Sequence, residues 1–180
     1  MAIKKQITFE GLTYNLDDRD RVAADTTLQS GGTFSLDTRL QYSNPVVGTD
    51  AATTMTVATH GGRTTVVPNI SGARTYTLPQ VAEGLHIHMV GFGALAADGH
   101  TLSIVTETAN TEFFWGALAH VDTNQTSQTT SIVWGNGSSN DTITLATPEA
   151  FDIHFVGKST TVWYLYGWTA SVTAVTIANS

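Results

Sequence analysis

The residues best suited to chemistry are three histidines. His86 and His88 stand two apart, and His154 occupies the place of His88 in a second copy of the same short motif. Side chains two apart on a strand point to one side, so both imidazoles of His86-x-His88 can reach a single ion, and imidazole nitrogen is an ordinary zinc ligand. His154 is a conceivable third donor. Against this, a structural zinc site takes four ligands, and no Asp/Glu/His cluster of suitable spacing flanks either motif. The expectation is no metal and no cofactor, with His86 and His88 held in reserve. In a trimer, a histidine ring around the three-fold axis would strengthen them.

Other motifs dissolve on inspection. Gly91-x-Gly93-x-x-Ala96 follows a strand, but a dinucleotide fingerprint needs a helix next to hold the pyrophosphate, and here another β run follows. No nucleophile elbow or Walker sequence is present. Gly135 to Asn140 lacks the lysine of a phosphate loop. Asp122-x-Asn124-x-Thr126 lacks the Gly and Glu of a calcium-binding EF-hand loop. Acids after residue 50 are sparse and isolated. The chain reads as a non-enzyme.

The aromatic residues are the second functional candidate. Trp115, Trp134, Trp163 and Trp168, with Tyr164 and Tyr166, can fill a core, form a subunit interface or offer a platform for sugars. Trp163 and Leu165 alternate with Tyr164 and Tyr166, so one side enters the core and the other meets solvent or a neighbour. Trp115, Trp134, Tyr164, Tyr166 and Trp168 are therefore taken as a subunit interface or glycan face.

These residues sit in β text. Thr75–Leu78 leads through a Pro/Gly-containing turn to Leu85–Gly91, and Thr142–Leu145 leads through Thr147-Pro148 to Asp152–Gly157. Each copy reads as a hairpin closed by Gly. Thr53–Val57, Thr64–Val67, Thr101–Val105, Ser131–Trp134, Thr161–Trp168 and Val172–Ile177 read as further strands, and Asp98-Gly99 as a tight turn. Short strands at regular spacing predict an all-β, antiparallel β-sandwich or jelly-roll-like domain over 49–180. Residues 1–50 carry 12 of the 23 charged side chains, 11 of them before residue 49. Residues 1–48 read as an extended N-terminal arm or docking subdomain, with Gln6–Phe9 and Thr33–Leu36 as short strands and Leu16–Ala24 as a turn or two of helix.

Composition narrows the partners. A net charge of −7, with 8 scattered basic residues, opposes nucleic acid, which demands clustered Lys/Arg. Absence of Cys excludes a disulfide framework. Met1–Gln6 does not open a signal peptide, and no apolar run approaches a membrane span. Synthesis in a cytoplasm, without a membrane partner, is the expectation. Only 13% of residues are charged, low for a soluble domain, as suits either a surface covered by partners or a Thr-rich face turned to solvent.

Arg63–Pro68 and Thr75–Leu85, with Asp141–Leu145 and Val162–Gly167 closing the same units, resemble a recurrent pattern of tailed-bacteriophage virion proteins. There a β run reaches Thr-Leu-Pro, a small-residue turn ends in Gly, and an alternating strand follows. The similarity, over about residues 50 to 170, is to head decoration (cement) proteins and to head-fibre or tail-fibre modules. It implies a β-sandwich or jelly-roll subunit, commonly a homotrimer. Such a subunit sits on the capsid exterior of the virion and bridges neighbouring major capsid proteins against internal DNA pressure. The arm would then make the capsid or neighbour contact, through Lys4, Lys5, Phe9, Tyr14, Asp17, Arg19, Arg21 and Arg39. The alternative is a receptor- or glycan-binding fibre module that uses the aromatic face and the loops around Asn124 and Asn136.

Overall fold

The computed structural model describes residues 5–9, 12–16, 44–92, 99–124 and 129–180. Strand accounts for 52% and helix for 3%, so the chain is all-β. Its contacts divide it into two units, Met1–Gln41 and Tyr42–Ser180. In the first, β1 (Lys5–Phe9) and β2 (Leu12–Leu16) form an antiparallel pair with Ile7 opposite Tyr14. Lys5 and Phe9 lie on β1 and Tyr14 on β2. Lys4, Asp17, Arg19, Arg21, Arg39, Thr33–Leu36 and 17–24 of the expected helical turn fall outside the described residues.

The second unit begins earlier than residue 49, because β3 (Val46–Val47) already pairs with β5 (Thr64–Val66). It continues through β4 (Thr53–Thr54), β6 (Arg74–Thr77), β7 (His86–Phe92), β8 (Thr101–Val105) and β9 (Phe113–Asp122). The last strands are β10 (Thr130–Asn136), β11 (Thr142–Ala146), β12 (Ala150–Gly157), β13 (Val162–Ser171) and β14 (Thr176–Ala178). The expected strand over Thr53–Val57 stops at Thr54. Thr56 caps a single helical turn, α1 (Val57–His60), and its hydroxyl accepts from the Thr59 N–H at 3.3 Å, as a Thr N-cap does.

Two sheets result. One has seven strands in the order β10-β9-β13-β12-β7-β5-β3; the other has five in the order β14-β11-β8-β6-β4. Both are mixed, which corrects the antiparallel expectation. From β3 to β9 the chain alternates between the sheets, so strands two apart in sequence become neighbours and run parallel: β3 with β5, β4 with β6, β5 with β7, β6 with β8. β13 also lies parallel to β9, while β12 and β13 form an antiparallel pair. Neither sheet closes into a barrel.

This winding also corrects the repeated hairpin. In each copy the first strand (β6 or β11) belongs to the five-stranded sheet and the second (β7 or β12) to the seven-stranded one. Each unit is thus an arch between sheets. The two second strands then pair with each other, antiparallel.

Period-two patterning decides which side is buried. On β12, Phe151, Ile153 and Phe155 point inward and Asp152, His154 and Val156 outward. On β13, Trp163 and Leu165 are fully buried while Tyr164, Tyr166 and Trp168 are exposed. Phe114, Phe155 and Trp163 pack ring against ring, and they join Ile87, Met89, Leu102, Ile104, Ile143 and Leu145 from both sheets in one hydrophobic cluster. Burial of each such side chain contributes about 1.5–3 kcal/mol. Two glycines let the backbones approach. A Cβ on Gly167 (φ +144°) would stand 2.1 Å from the Asp152 carbonyl oxygen, and one on Gly116 (φ +134°) 2.0 Å from that of Leu165. Among the described residues, no helix is long and apolar enough to cross a membrane.

Candidate functional site

The outward side of the seven-stranded sheet carries both sequence candidates. Cross-strand register places Trp115 beside Tyr164 and Asn136, Ala117 between Tyr166 and Trp134, and Ala119 between Trp168 and Ile132. Trp115, Trp134, Tyr164, Tyr166 and Trp168, drawn from β9, β10 and β13, are all exposed on this side, Trp134 by 68%. Trp163, on the opposite side of β13 from the tyrosines, is core. Phe92, at the end of β7, lies 6.5 Å from Trp168 between ring centroids and is 61% exposed. Ile132 and Val121 are exposed too. Sequence reading passed over these three; the signal for Ile132 was its spacing of two from Trp134 on one strand.

The rings make a continuous path. Trp115 meets Tyr164 edge-on at 5.5 Å, and Tyr164 lies 5.9 Å from Tyr166. Lys158 Nζ sits 3.7 Å above the Trp115 ring, a cation–π contact. Tyr166 stacks on His154 at 4.8 Å, within 4° of parallel. The apolar rings therefore run directly into the histidines.

There the two motif copies face each other. His88 pairs with His154 across the β7–β12 ladder, and their rings stack 4.0 Å apart, within 6° of parallel. The expectation that no Asp/Glu/His cluster accompanies the motifs is revised by Asp152, the first residue of the second copy's Asp152–Gly157 run, which lies on the same side of β12 as His154. Asp152 Oδ1 lies 2.9 Å from His88 Nε2, 64 residues away in sequence, and 3.2 Å from His154 Nε2. His88 Nδ1 is 2.9 Å from Thr64 Oγ1, and His154 Nδ1 is 3.1 Å from His86 Nε2.

One tautomer satisfies every contact: each imidazole carries its proton on Nε2. His88 and His154 then donate to the carboxylate, His86 donates to His154 Nδ1, and the Thr64 hydroxyl donates to His88 Nδ1. Burial, reinforced by the neighbouring His88, holds His86 below the usual imidazole value. Burial also lowers His154, and with the His88 and His86 rings it outweighs the raising effect of Asp152. Both rings are thus held neutral near pH 7.

Donor atoms of His88, Asp152 and His154 all lie within 4.8 Å of one another. Among the described residues this is the triplet that could hold a cation, and His86, offered by the sequence, instead hydrogen-bonds a member of it. Asn124 and Asn136 lie at strand-end loops away from this cluster in sequence. The Asn136 side chain is engaged locally, accepting from the Ser138 and Ser139 N–H groups at 2.9 Å.

Compared with protein-family models, with curated proteins and with solved structures, the chain gives no significant match.

Proposed function

We propose that this chain is a structural protein that works by docking, with the aromatic side of its seven-stranded sheet as the contact surface. The observation that carries this reading is the set Trp115, Trp134, Tyr164, Tyr166 and Trp168, extended by Phe92 and Ile132, all solvent-facing on one sheet. Large aromatics are enriched at the centres of protein interfaces, and contiguous apolar surface of this kind marks an interaction site. The surface is rigid, because every ring stands on a paired strand backed by the core.

The two sheets sharing one hydrophobic cluster suit a β-sandwich subunit. Resemblance of residues 63–91 to tailed-phage virion proteins supplies the setting. In this reading the chain is a capsid decoration protein on the virion exterior, homotrimeric, that bridges major capsid proteins and stabilises the head. Residues 1–41, rich in charge, would provide a second contact. The copy number of the chain in purified virions, measured by quantitative mass spectrometry against the major capsid protein, tests the setting. Comparable numbers support decoration, a handful of copies supports a fibre component, and absence from particles refutes the virion reading.

One observation favours a second reading. Flat exposed rings bordered by Lys158, Asp152 and His88 offer both stacking and hydrogen bonding, the combination that binds sugars. A glycan array decides: reproducible hits lost in Trp115→Ala and Trp134→Ala would make the chain a glycan-binding fibre module.

A further inference from the structure

We infer that His88, Asp152 and His154 form a site for one divalent transition-metal ion of the zinc type. This inference is independent of the docking role and of any virion setting.

Donor chemistry comes first. Two imidazole nitrogens and one carboxylate oxygen make a set that takes Zn²⁺ and its neighbours in preference to Ca²⁺ or Mg²⁺, which want oxygen alone. Spacing agrees. Bonds of about 2.0–2.1 Å at tetrahedral angles put neighbouring ligand atoms roughly 3.3 Å apart. The two nitrogen-to-carboxylate separations are 2.9 and 3.2 Å. These side chains are 20–32% exposed, so the remaining coordination position opens to water.

The outer contacts are also those of a metal site. Ligating histidines ordinarily hold a partner on the nitrogen that does not bind metal, and here both do, through Thr64 and His86. Coordination through Nε2 requires the proton to sit on Nδ1. A threonine hydroxyl and an imidazole nitrogen can each accept as well as donate. The network can therefore reverse direction, His88 Nδ1–H donating to Thr64 and His154 Nδ1–H to His86. A backbone carbonyl or a lysine in either place would permit only one direction.

One rearrangement is required. Parallel rings 4.0 Å apart cannot both aim their in-plane lone pairs at one point. Binding turns His154 about its Cβ–Cγ bond, which breaks its stack between His88 and Tyr166. His154 thereby exchanges its present His86 contact for a new one, while His88 keeps Thr64. Metal binding consequently changes the edge of the aromatic surface.

The test titrates zinc chloride into the full chain by calorimetry and follows ¹⁵N-labelled histidine side chains by NMR. The expected result is one ion per chain, with the Nε2 signals of His88 and His154 shifting together. His88→Ala and His154→Ala abolish binding, while Thr64→Val weakens it by about 10–100-fold through loss of the outer partner. Circular dichroism of each variant separates lost ligands from lost fold, and the NMR readout on the unaltered chain needs no substitution. Absence of saturable binding would overturn the inference, and so would one-site binding that survives in the His88→Ala/His154→Ala double variant.

Discussion

His88 and His154, matching members of the two motif copies, sit directly opposite each other on adjacent strands with their rings stacked. A residue paired with its own counterpart marks a local two-fold relation between the arches. His86 and Asp152, the other matching pair, flank that axis on opposite sides. Substitution of one histidine by aspartate between the copies turns a symmetric imidazole cluster into one that has a carboxylate in its middle.

Exposure on the aromatic side sets a first prediction. Trp134→Ala should leave the melting temperature within roughly 2 °C of the parent, since exposed substitutions typically change stability by less than about 0.5 kcal/mol. Self-association or partner binding should weaken strongly. Sedimentation velocity reads the first and co-sedimentation with capsids the second; unchanged behaviour in both would remove this side of the sheet from the docking reading.

Gly167 tests the close backbone approach beneath the histidines. An added methyl meets the Asp152 carbonyl oxygen at 2.1 Å on a backbone of φ +144°. Overpacking together with strain costs about 3 kcal/mol. Thermal melting of Gly167→Ala should fall by roughly 6–12 °C, and a shift under about 2 °C would show that β12 and β13 separate easily.

Glu112 is buried and accepts from the Val81 N–H at 3.2 Å. Burial outweighs that bond and raises its carboxyl above the ordinary value. The folded state therefore holds its proton more tightly than the unfolded chain does. The resulting stabilisation is complete below the unfolded value and lost as pH rises through the folded one. Glu112→Gln should be at least as stable as the parent at pH 7, and its advantage should shrink toward pH 4.5. Melting curves that stay parallel across that range would contradict the assignment.

Asp141 behaves in the opposite sense. Burial alone would raise its carboxyl, but donors from Asn110 N–H, Ser180 N–H, Thr142 and the Ser180 hydroxyl lower it on balance. That stabilisation is present above the ordinary carboxyl range and disappears as pH falls through the lowered value. Asp141→Asn places an amide against these donors and should cost about 1–3 kcal/mol at pH 7, read by denaturant unfolding. Loss of protection at Ser180 and Ile177 in hydrogen exchange would localise the effect to β14 and its following residues.

Alternation in 85–91, 152–157 and 162–168 announced the strands and their two sides, because one side of each is buried and the chemistry of the side chain records it. Trp163 inward and Tyr164 outward follow from that alone. What alternation does not encode is the sheet to which the next strand goes. Thr147-Pro148 breaks β11 equally well whether the chain folds back beside it or crosses to the other layer, so arches were legible only as hairpins. Asp152 was hidden for a related reason. Its nearness to His88 depends on the pairing of strands 64 residues apart, and nothing local to either strand states it. Thr53–Val57 failed differently, since threonine serves a strand and a helix cap alike and Thr56 was used as the cap.

The parallel contact between β9 and β13 bears on when the protein becomes competent to bind. Trp115 and Trp134 are synthesised well before Tyr164 and Tyr166, and β9 gains its inner neighbour only after the chain has passed through β10, β11 and β12. Until then no nascent or truncated form displays the assembled rings. A partner that recognised the whole row would therefore bind only chains completed through β13.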